Sequence, residues 1–247
     1  MDRAIYTAMS GASQTIEMQS ITAQNLANVS TPGFKAQLAA LRHVPVIGET
    51  LPTRSVVAAS TTGFDATAGT FNYTGNPLDV ALEDNGYLAI QTPYGEAYTR
   101  NGRITVDANN QLRINNNLVI GEGGPIEVPP SAKLSIGADG TISSLDAGGT
   151  PNTIGPIGTL KKVQATSEQL ARGDDGYFRP RPGVGDVLPN DPNVRVYSGV
   201  IESSNVNATD AMVDMINHQR RFELQMKVIS SVNENEQRAN QLMNFNV

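Results

Sequence analysis

The chain has 247 residues, of which 39% are apolar and only 17% charged, and its formal net charge is -6. This length allows one or two domains with a sizeable core. The negative balance and the lack of a Lys/Arg cluster argue against nucleic acid or anionic membrane as partners, and the absence of cysteine excludes disulfides and thiolate chemistry.

The N-terminus and the hydropathy of the chain bear on export. The opening MDRAIYTAMSGASQ has no basic segment followed by an apolar core, as a Sec-type signal would. No run approaches the roughly 18 apolar residues of a membrane span. We therefore expect that, if the protein leaves the cytoplasm, it does so without a cleaved signal peptide.

The first predicted element is a helix from Ala4 to about Asn28. Its apolar residues recur at steps of four and three, with Gln19 filling one gap, which is the narrow seam of a coiled coil. Pro32 should end the helix and Gly33 should complete a turn. The seam residues, which we expect to form an assembly interface, are Ile5, Met9, Ala12, Ile16, Ala23 and Leu26.

The middle of the chain predicts β-structure. Short β-prone runs alternate with Gly, Asn, Asp and Pro, and the dipeptides Asn85-Gly86, Asn101-Gly102 and Asp139-Gly140 predict hairpin turns. Segments 34–70 and 180–193 read as extended linkers or surface loops because of their prolines and glycines. The predicted strand regions are 55–60, 70–74, 78–82, 87–91, 103–107, 111–114, 125–128, 133–137, 141–145, 158–165, 177–180 and 194–202.

The last predicted element is a helix that begins after Asn207, a suitable N-cap, with Asp210 in its first turn. It could exceed 30 residues, because neither Pro nor Gly occurs after Gly199. Its apolar residues again recur at three-four steps, with Gln219 and Glu236 as polar interruptions. The expected interface residues of this helix are Met212, Met215, Phe222, Met226, Ile229, Val232 and Met243.

These elements together predict a mainly β middle domain inserted between two long terminal α-helices that form an antiparallel coiled coil. The predicted boundaries are 1–33 with 203–247 for the helical part, 34–76 for an extended linker and 77–202 for the β-rich domain. A helix pair of this kind leaves Met and Ile side chains uncovered, so other subunits should cover them. The alternative is that each helix simply packs on its own β-domain.

No catalytic, cofactor-binding or metal-binding residues are expected. His43 and His218 are not near a GxSxG elbow, and surface positions explain them. Carboxylates that could serve a glycosidase are more simply explained by turn geometry; they are Glu83, Asp84, Glu96, Asp107 and Asp139. The segment 107–117 lacks the glycine and the final acidic residue of a calcium loop, and 121–125 lacks the tail of a phosphate loop.

Three blocks of the sequence resemble the bacterial flagellar rod and hook proteins. They are NLANVSTPGFK (25–35), PLDVALEDNGYLAIQTPYGEAYTRNG (77–102) and SGVIESSNVNATDAMVDMI (198–216), in the order that the family has. Within this family, the opening residues and the short length favour a proximal rod protein, with a distal rod protein as the alternative. The residues that carry the motif turns are Asn25, Asn28, Thr31, Pro32, Gly33, Phe34, Asn205 and Val206.

The resemblance implies a structural subunit, not an enzyme, that passes unfolded through the flagellar type III export apparatus and assembles into the rod, which crosses the periplasm and transmits torque. Its partners would be copies of itself, other proximal rod subunits and the distal rod protein, with no nucleic acid, small-molecule substrate or cofactor. The terminal helices would form the inner layer of the tube and be largely disordered in the free subunit. Two other hypotheses remain open: an enzyme acting on polysaccharide, and a β-adhesin or binding module.

Overall fold

The computed structural model describes residues 2–45, 55–130, 132–145 and 155–244. Two helices flank a β-rich middle: α1 (Asp2–Ala27) and α2 (Ala208–Asn244). The strands are β1 (Gln37–Pro45), β2 (Ser55–Phe64), β3 (Phe71–Tyr73), β4 (Val80–Leu82), β5 (Gly86–Thr92), β6 (Gly95–Thr99), β7 (Ile104–Val106), β8 (Leu112–Ile114), β9 (Asn117–Gly121), β10 (Gly124–Pro125), β11 (Lys133–Ile136), β12 (Thr141–Leu145), β13 (Gly155–Thr159), β14 (Lys162–Gln164), β15 (Leu170–Arg172), β16 (Phe178–Pro180), β17 (Val196–Ser198) and β18 (Val200–Glu202).

Both helices begin and end close to their predicted residues. The Asn207 side chain accepts a hydrogen bond from the Thr209 amide at 3.0 Å, so Asn207 is the N-cap of α2. Asp210 lies in the first turn, where its negative charge interacts favourably with the positive end of the helix dipole. At the other helix, α1 gives way to a turn in which the Thr31 amide donates to the Asn28 carbonyl.

The chain divides into two compact units. The first unit contains residues 1–27, 37–62 and 207–247, and the second contains residues 28–36 and 63–206. Where an extended linker was predicted for 34–76, the described residues include the paired strands β1 and β2, while residues 46–54 lie outside the description. The motif turn after α1 therefore belongs to the β-rich unit, and the two strands that follow it belong with the helices.

In the first unit, α1 contacts both α2 and the β1–β2 pair. The Ser10 hydroxyl donates to the Val57 carbonyl at 3.0 Å. Asn25 and Gln37 exchange two hydrogen bonds, of 2.8 and 3.0 Å, between the Asn25 amide side chain and the Gln37 backbone. These two hydrogen bonds hold the start of β1 against the end of α1, because the amide and the carbonyl of Gln37 both bond to the Asn25 side chain.

The prediction of an antiparallel coiled coil is wrong. The structure has two terminal helices, of 26 and 37 residues, and no long antiparallel coiled coil is present among the residues it describes. The predicted seams do not interdigitate, because Met9 and Ile16 are each 53% exposed. Where the helices meet, the Thr15 hydroxyl instead donates to Gln225 at 3.3 Å.

The second unit is built around a nine-stranded sheet in the order β15-β16-β6-β5-β9-β8-β7, with β10 paired to β9 and β14 paired to β5. A three-stranded sheet, β11-β12-β13, and the pairs β17-β4 and β18-β3 complete it. Leu88 and Ile90 of the central strand β5 are fully buried in the larger core cluster, and Tyr87 and Ala89 alternate with them in the smaller one. The central strand is thus buried on both faces, and burial of Leu88 and Ile90 stabilises the fold by about 1.5–3 kcal/mol each.

Candidate functional site

The assembly residues predicted on α1 fall into two groups. Ala12 is buried, and Ile5, Ala23 and Leu26 are half-buried. Met9 and Ile16 point away from the protein's own packing and are each 53% exposed. They are seven residues apart, two turns along one helix face, so both apolar side chains are open to another molecule on that face.

The assembly residues predicted on α2 divide in the same way. Met215, Phe222, Ile229 and Val232 are half-buried, whereas Met212 and Met226 are 53% and 46% exposed. Met243 lies within α2, but its side chain is outside the description. The less exposed face of this helix also carries His218 and Gln225, which were not predicted there, and Glu236, which was predicted as an interruption. The members of this face are Ala211, Met215, His218, Phe222, Gln225, Ile229, Val232, Glu236 and Ala239.

His218, expected at the surface, is 8% exposed. Burial and the nearby Arg221 guanidinium lower the pKa of His218, and the Asp214 carboxylate opposes them. The imidazole is therefore favoured in its neutral form in the folded chain. Gln225, another polar member of this face, brings its amide against Gly11 of α1, where a Cβ would lie 2.8 Å from Nε2.

A buried cluster of three charged residues joins the three sequence blocks in the second unit. Lys35 from the first block, Arg100 from the second and Glu202 from the third are each no more than 2% exposed. We call these three residues the motif junction. Glu202 Oε1 accepts a hydrogen bond from Lys35 Nζ at 2.8 Å, and Oε2 accepts one from Arg100 Nε at 2.7 Å.

Backbone groups satisfy the remaining hydrogen-bonding capacity of the motif junction. Lys35 Nζ donates to the Thr67 carbonyl at 2.6 Å, and the Gly69 amide donates to Glu202 Oε1 at 2.9 Å. The carbonyls that accept from the Arg100 guanidinium are those of Leu82, Asp84 and Gly86. Burial lowers the pKa of Lys35, and the Glu202 carboxylate opposes this shift. A buried ion cluster is tolerable only when its polar groups are paired in this way.

The motif turn packs directly on the same unit. Gly33 adopts φ 66°, and a Cβ at this position would lie 2.3 Å from the Arg100 carbonyl carbon. Its amide donates to the Glu202 carbonyl at 2.8 Å, and the adjacent Phe34 is buried. Glycine is required here both for the positive φ and for the close approach of two backbones.

The remaining motif residues extend this contact. Asn205 Oδ1 accepts a hydrogen bond from the Ala36 amide at 2.8 Å, while its Nδ2 donates to the Asp65 and Thr67 carbonyls, both at 3.1 Å. Val206 is half-buried, and its amide donates to the Ser204 hydroxyl. The half-buried Asn28, Thr31 and Pro32 form the turn itself, and Asn25 alone belongs to the first unit.

The carboxylates considered for catalysis are engaged in local structure. Asp107 accepts hydrogen bonds from the Asn109 and Gln111 amides and from Arg113, which hold its pKa below its usual value. Asp139 accepts from the Thr141 amide and hydroxyl, with the same effect on its pKa. Glu96 pairs with Lys161 at 2.6 Å.

Within the described ranges, no group of His, Cys, Asp and Glu side chains is arranged to hold a metal ion. Neither described helix combines the length and hydropathy needed to cross a membrane.

Three flagellar family models match the chain. Residues 5–35 match "Flagella basal body rod protein", residues 81–144 match "Flagellar hook protein FlgE/F/G D1 domain", and residues 197–242 match "Flagellar basal body rod FlgEFG protein C-terminal". Each model contains one residue of the motif junction.

Curated relatives match along the whole chain. The flagellar basal-body rod protein FlgF of Escherichia coli (strain K12) is 58% identical over 99% of this chain and 100% of its own length, and FlgF of Salmonella typhimurium (strain LT2) is 56% identical over the same shares. The flagellar basal-body rod protein FlgG of Bacillus subtilis (strain 168) is 30% identical over 95% of this chain and 96% of its own.

Proposed function

The chain belongs to the flagellar basal-body rod protein family, and on this basis we propose that it is a structural subunit of the proximal rod of the bacterial flagellar basal body. The observation that carries the proposal is the 58% identity to FlgF along essentially the full length of both chains. The relatives that are 58% and 56% identical are both FlgF proteins, whereas the FlgG protein is 30% identical, which supports the proximal rather than the distal rod. The family resemblance predicted from three sequence blocks is thereby confirmed.

The role is to hold and transmit force, not to catalyse a reaction. The protein localises to the flagellar basal body, in the part of the rod that spans the periplasm, and contributes to the shaft that carries torque. It reaches this place through the flagellar type III export apparatus. The carboxylates Asp107, Asp139 and Glu96, engaged in turns and an ion pair, support a structural over a catalytic role.

Assembly brings the subunit against other flagellar rod and hook proteins. Its neighbours are copies of itself, the proximal rod subunits below and the distal rod protein above. The terminal helices supply the contact surfaces, and the half-exposed side chains of Met9, Ile16, Met212 and Met226 support this assignment. Covering them on assembly removes apolar surface from water, which favours association by about 25 cal/mol per Å².

We propose that 1–33 with 203–247 serves assembly, that 34–76, which contains the paired strands β1 and β2, is the connector, and that 77–202 is the outer β-rich domain. The terminal helices order when the subunit joins the rod, which couples folding to binding. The composition of α2 favours ordering on assembly, because its 37 residues include many charged and amide side chains, and such a helix is only marginally stable alone.

The test is incorporation into the basal body in the source bacterium. A strain lacking the gene should not swim, and the full chain carrying an epitope tag should restore swimming and appear in purified hook–basal bodies. A chain lacking residues 2–27 and 207–244 should fail in both respects while still producing a folded β-rich unit. The proposal is contradicted if the shortened chain supports normal swimming, or if the full chain is absent from the basal bodies of swimming cells.

A further inference from the structure

A small polar cavity lies within the second unit, between the motif turn and the chain around β15 and β16. Its volume is about 150 Å³. Its lining includes Thr31, Gly33 and Phe34 of the motif turn and Arg172 and Tyr177 of the later segment. The cavity is therefore bounded by the same turn that carries the first sequence block.

Arg172 is half-buried at this cavity and has no carboxylate partner among the described residues. Its guanidinium lies over the Phe34 ring at 4.2 Å, and Nη1 donates to the Lys35 carbonyl at 3.3 Å. Nε is buried and makes no hydrogen bond within the described ranges.

The acidic residue nearest along the cavity wall does not neutralise this charge. Asp175 is bound by Arg179, through Nη1 at 2.9 Å and Nη2 at 2.5 Å. Burial lowers the pKa of Arg172, and no neighbouring carboxylate raises it. The contact with Phe34 offsets only part of the cost of removing a guanidinium from water.

We propose that this cavity binds a carboxylate side chain of a neighbouring axial subunit, with the Arg172 guanidinium as its cationic partner. A guanidinium presents a planar fork of donors that matches a carboxylate, and the pair gains charge-assisted hydrogen bonds. The cavity is sized for one side chain, not for a larger ligand. Copies of this chain carry 24 acidic against 18 basic residues, so subunits offer carboxylates in excess.

The inference rests on the proposed function for the source of the carboxylate, but the chemistry of the cavity can be tested without a rod. The full chain, labelled with ¹⁵N, is titrated with N-acetyl-aspartate N-methylamide and, separately, with N-acetyl-asparagine N-methylamide. The aspartate probe should shift the Arg172 Nε–H signal and the Thr31 and Gly33 amides saturably, and the neutral probe should bind at least about tenfold more weakly.

Two variants separate the cavity from general charge effects. Arg172→Gln should abolish the response to the aspartate probe, while Arg103→Gln, which removes an exposed guanidinium of the same unit, should leave it unchanged. Equal responses to both probes, no response, or a response that survives in Arg172→Gln would overturn the proposal.

A second measurement identifies the source of the carboxylate. In cells, Arg172→Gln should reduce the amount of the protein in purified basal bodies at least about threefold, and Arg103→Gln should not. Binding of the probe together with normal incorporation of Arg172→Gln would assign the cavity to a free small carboxylate and overturn the neighbouring-subunit proposal. Loss of the proposed rod function would instead be seen as absence of the unaltered chain from the basal body.

Discussion

Lys35 and Glu202 are 167 residues apart in the sequence, yet the Lys35 ammonium donates to the Glu202 carboxylate over 2.8 Å in the interior of the β-rich unit. The residues flank the two terminal helices: Lys35 follows α1 and Glu202 precedes α2. Arg100 shares the same carboxylate from the middle block, so one anion holds together three distant parts of the chain.

Replacing Glu202 with alanine should therefore destabilise the second unit severely. The change leaves two buried cations without a counter-ion, which costs about 3–5 kcal/mol. Urea unfolding followed by the near-ultraviolet signal of the buried tyrosines measures the loss. The control Glu127→Ala removes an exposed carboxylate and should change the free energy of unfolding by no more than about 0.5 kcal/mol. Similar values for the two variants would contradict the importance of the motif junction.

Gly33→Ala should destabilise the same unit through the backbone. The residue has φ 66°, and its Cβ would meet the Arg100 carbonyl carbon at 2.3 Å, so both strain and a steric clash oppose alanine. We expect a loss of about 1–3 kcal/mol by urea unfolding. Gly123→Ala is the matched control, because a Cβ there has no described neighbour within 4 Å. A difference of less than about 0.5 kcal/mol between the variants would count against this account of the turn.

Ile16→Asp should leave the β-rich unit folded but block assembly. The Ile16 side chain is 53% exposed in the subunit, so the charge is tolerated there and becomes costly only when a neighbour buries it. Swimming in soft agar and recovery of basal bodies provide the measurement, and Ile16→Leu, which keeps the apolar surface, should behave as the unaltered chain does. Phe222→Asp should have the same effect on assembly. Normal swimming with either aspartate would refute the role of that helix.

Limited trypsin digestion should distinguish Lys35 from Arg42. Lys35 is 2% exposed and held by the motif junction, whereas Arg42 in β1 is exposed. Cleavage requires local opening, so fragments beginning at His43 should appear well before any that begin at Ala36. Mass spectrometry of the time course measures the order. In Glu202→Ala, both sites should be cut at comparable rates; simultaneous cleavage in the unaltered chain would mean that the turn is not docked.

The alkaline stability of the second unit should depend on Tyr87. Burial raises the pKa of Tyr87 from 10.0 to about 12. A folded-state pKa above the unfolded value contributes stability that is present below pH 10 and lost as the pH rises from 10 to 12. Thermal unfolding at pH 9 and pH 11.5 should therefore show a smaller decrease for Tyr87→Phe than for the unaltered chain. Equal decreases would exclude this contribution.

The helices were predictable because their signals are local. The Asn207 cap, the break at Pro32 and the absence of Gly and Pro after Gly199 set their ends closely. The sequence did not determine which face of each helix packs inside the subunit, because apolar residues at three-four steps outline two neighbouring stripes. In α1 the inward stripe uses small residues such as Ala12 and Thr15, and the larger Met9 and Ile16 lie outside it.

The turns show where local chemistry fails to fix the fold. Asp139-Gly140 joins the paired strands β11 and β12, as predicted. The other two predicted hairpins are wrong. The strands on either side of Asn85-Gly86, β4 and β5, do not pair with each other, because β4 pairs with β17. The strands on either side of Asn101-Gly102, β6 and β7, also pair with other strands. A turn dipeptide reverses the chain, but distant packing decides which strands pair. The β8–β9 turn instead uses Asn115, at φ 53°.

The motif junction was missed although all three residues lay inside the recognised blocks. The motif-turn residues predicted from the sequence are Asn25, Asn28, Thr31, Pro32, Gly33, Phe34, Asn205 and Val206, and the charged residues within the same blocks were not predicted as site residues. Lys35 directly follows an apolar turn residue, and Glu202 closes an apolar strand. A charge in such a position needs a buried counter-ion if its strand is to pack, which is a signal that sequence reading could use.

Because Glu202 pairs with Lys35 in the second unit and Gln225 contacts Thr15 in the first, neither compact unit can be completed before the C-terminal part of the chain is present. The Lys35–Glu202 contact joins residues that are 167 positions apart in the sequence, and the Thr15–Gln225 contact joins residues that are 210 positions apart. Contacts of such long sequence separation form slowly, since the intervening loop must be closed first. A chain that leaves a pore with its N-terminus first can therefore pair the strands of the main sheet, but it cannot form the motif junction or the Thr15–Gln225 contact until its C-terminal part has emerged. The last fifth of the chain is thus needed to complete both units, and a subunit that has only partly emerged lacks the complete native fold.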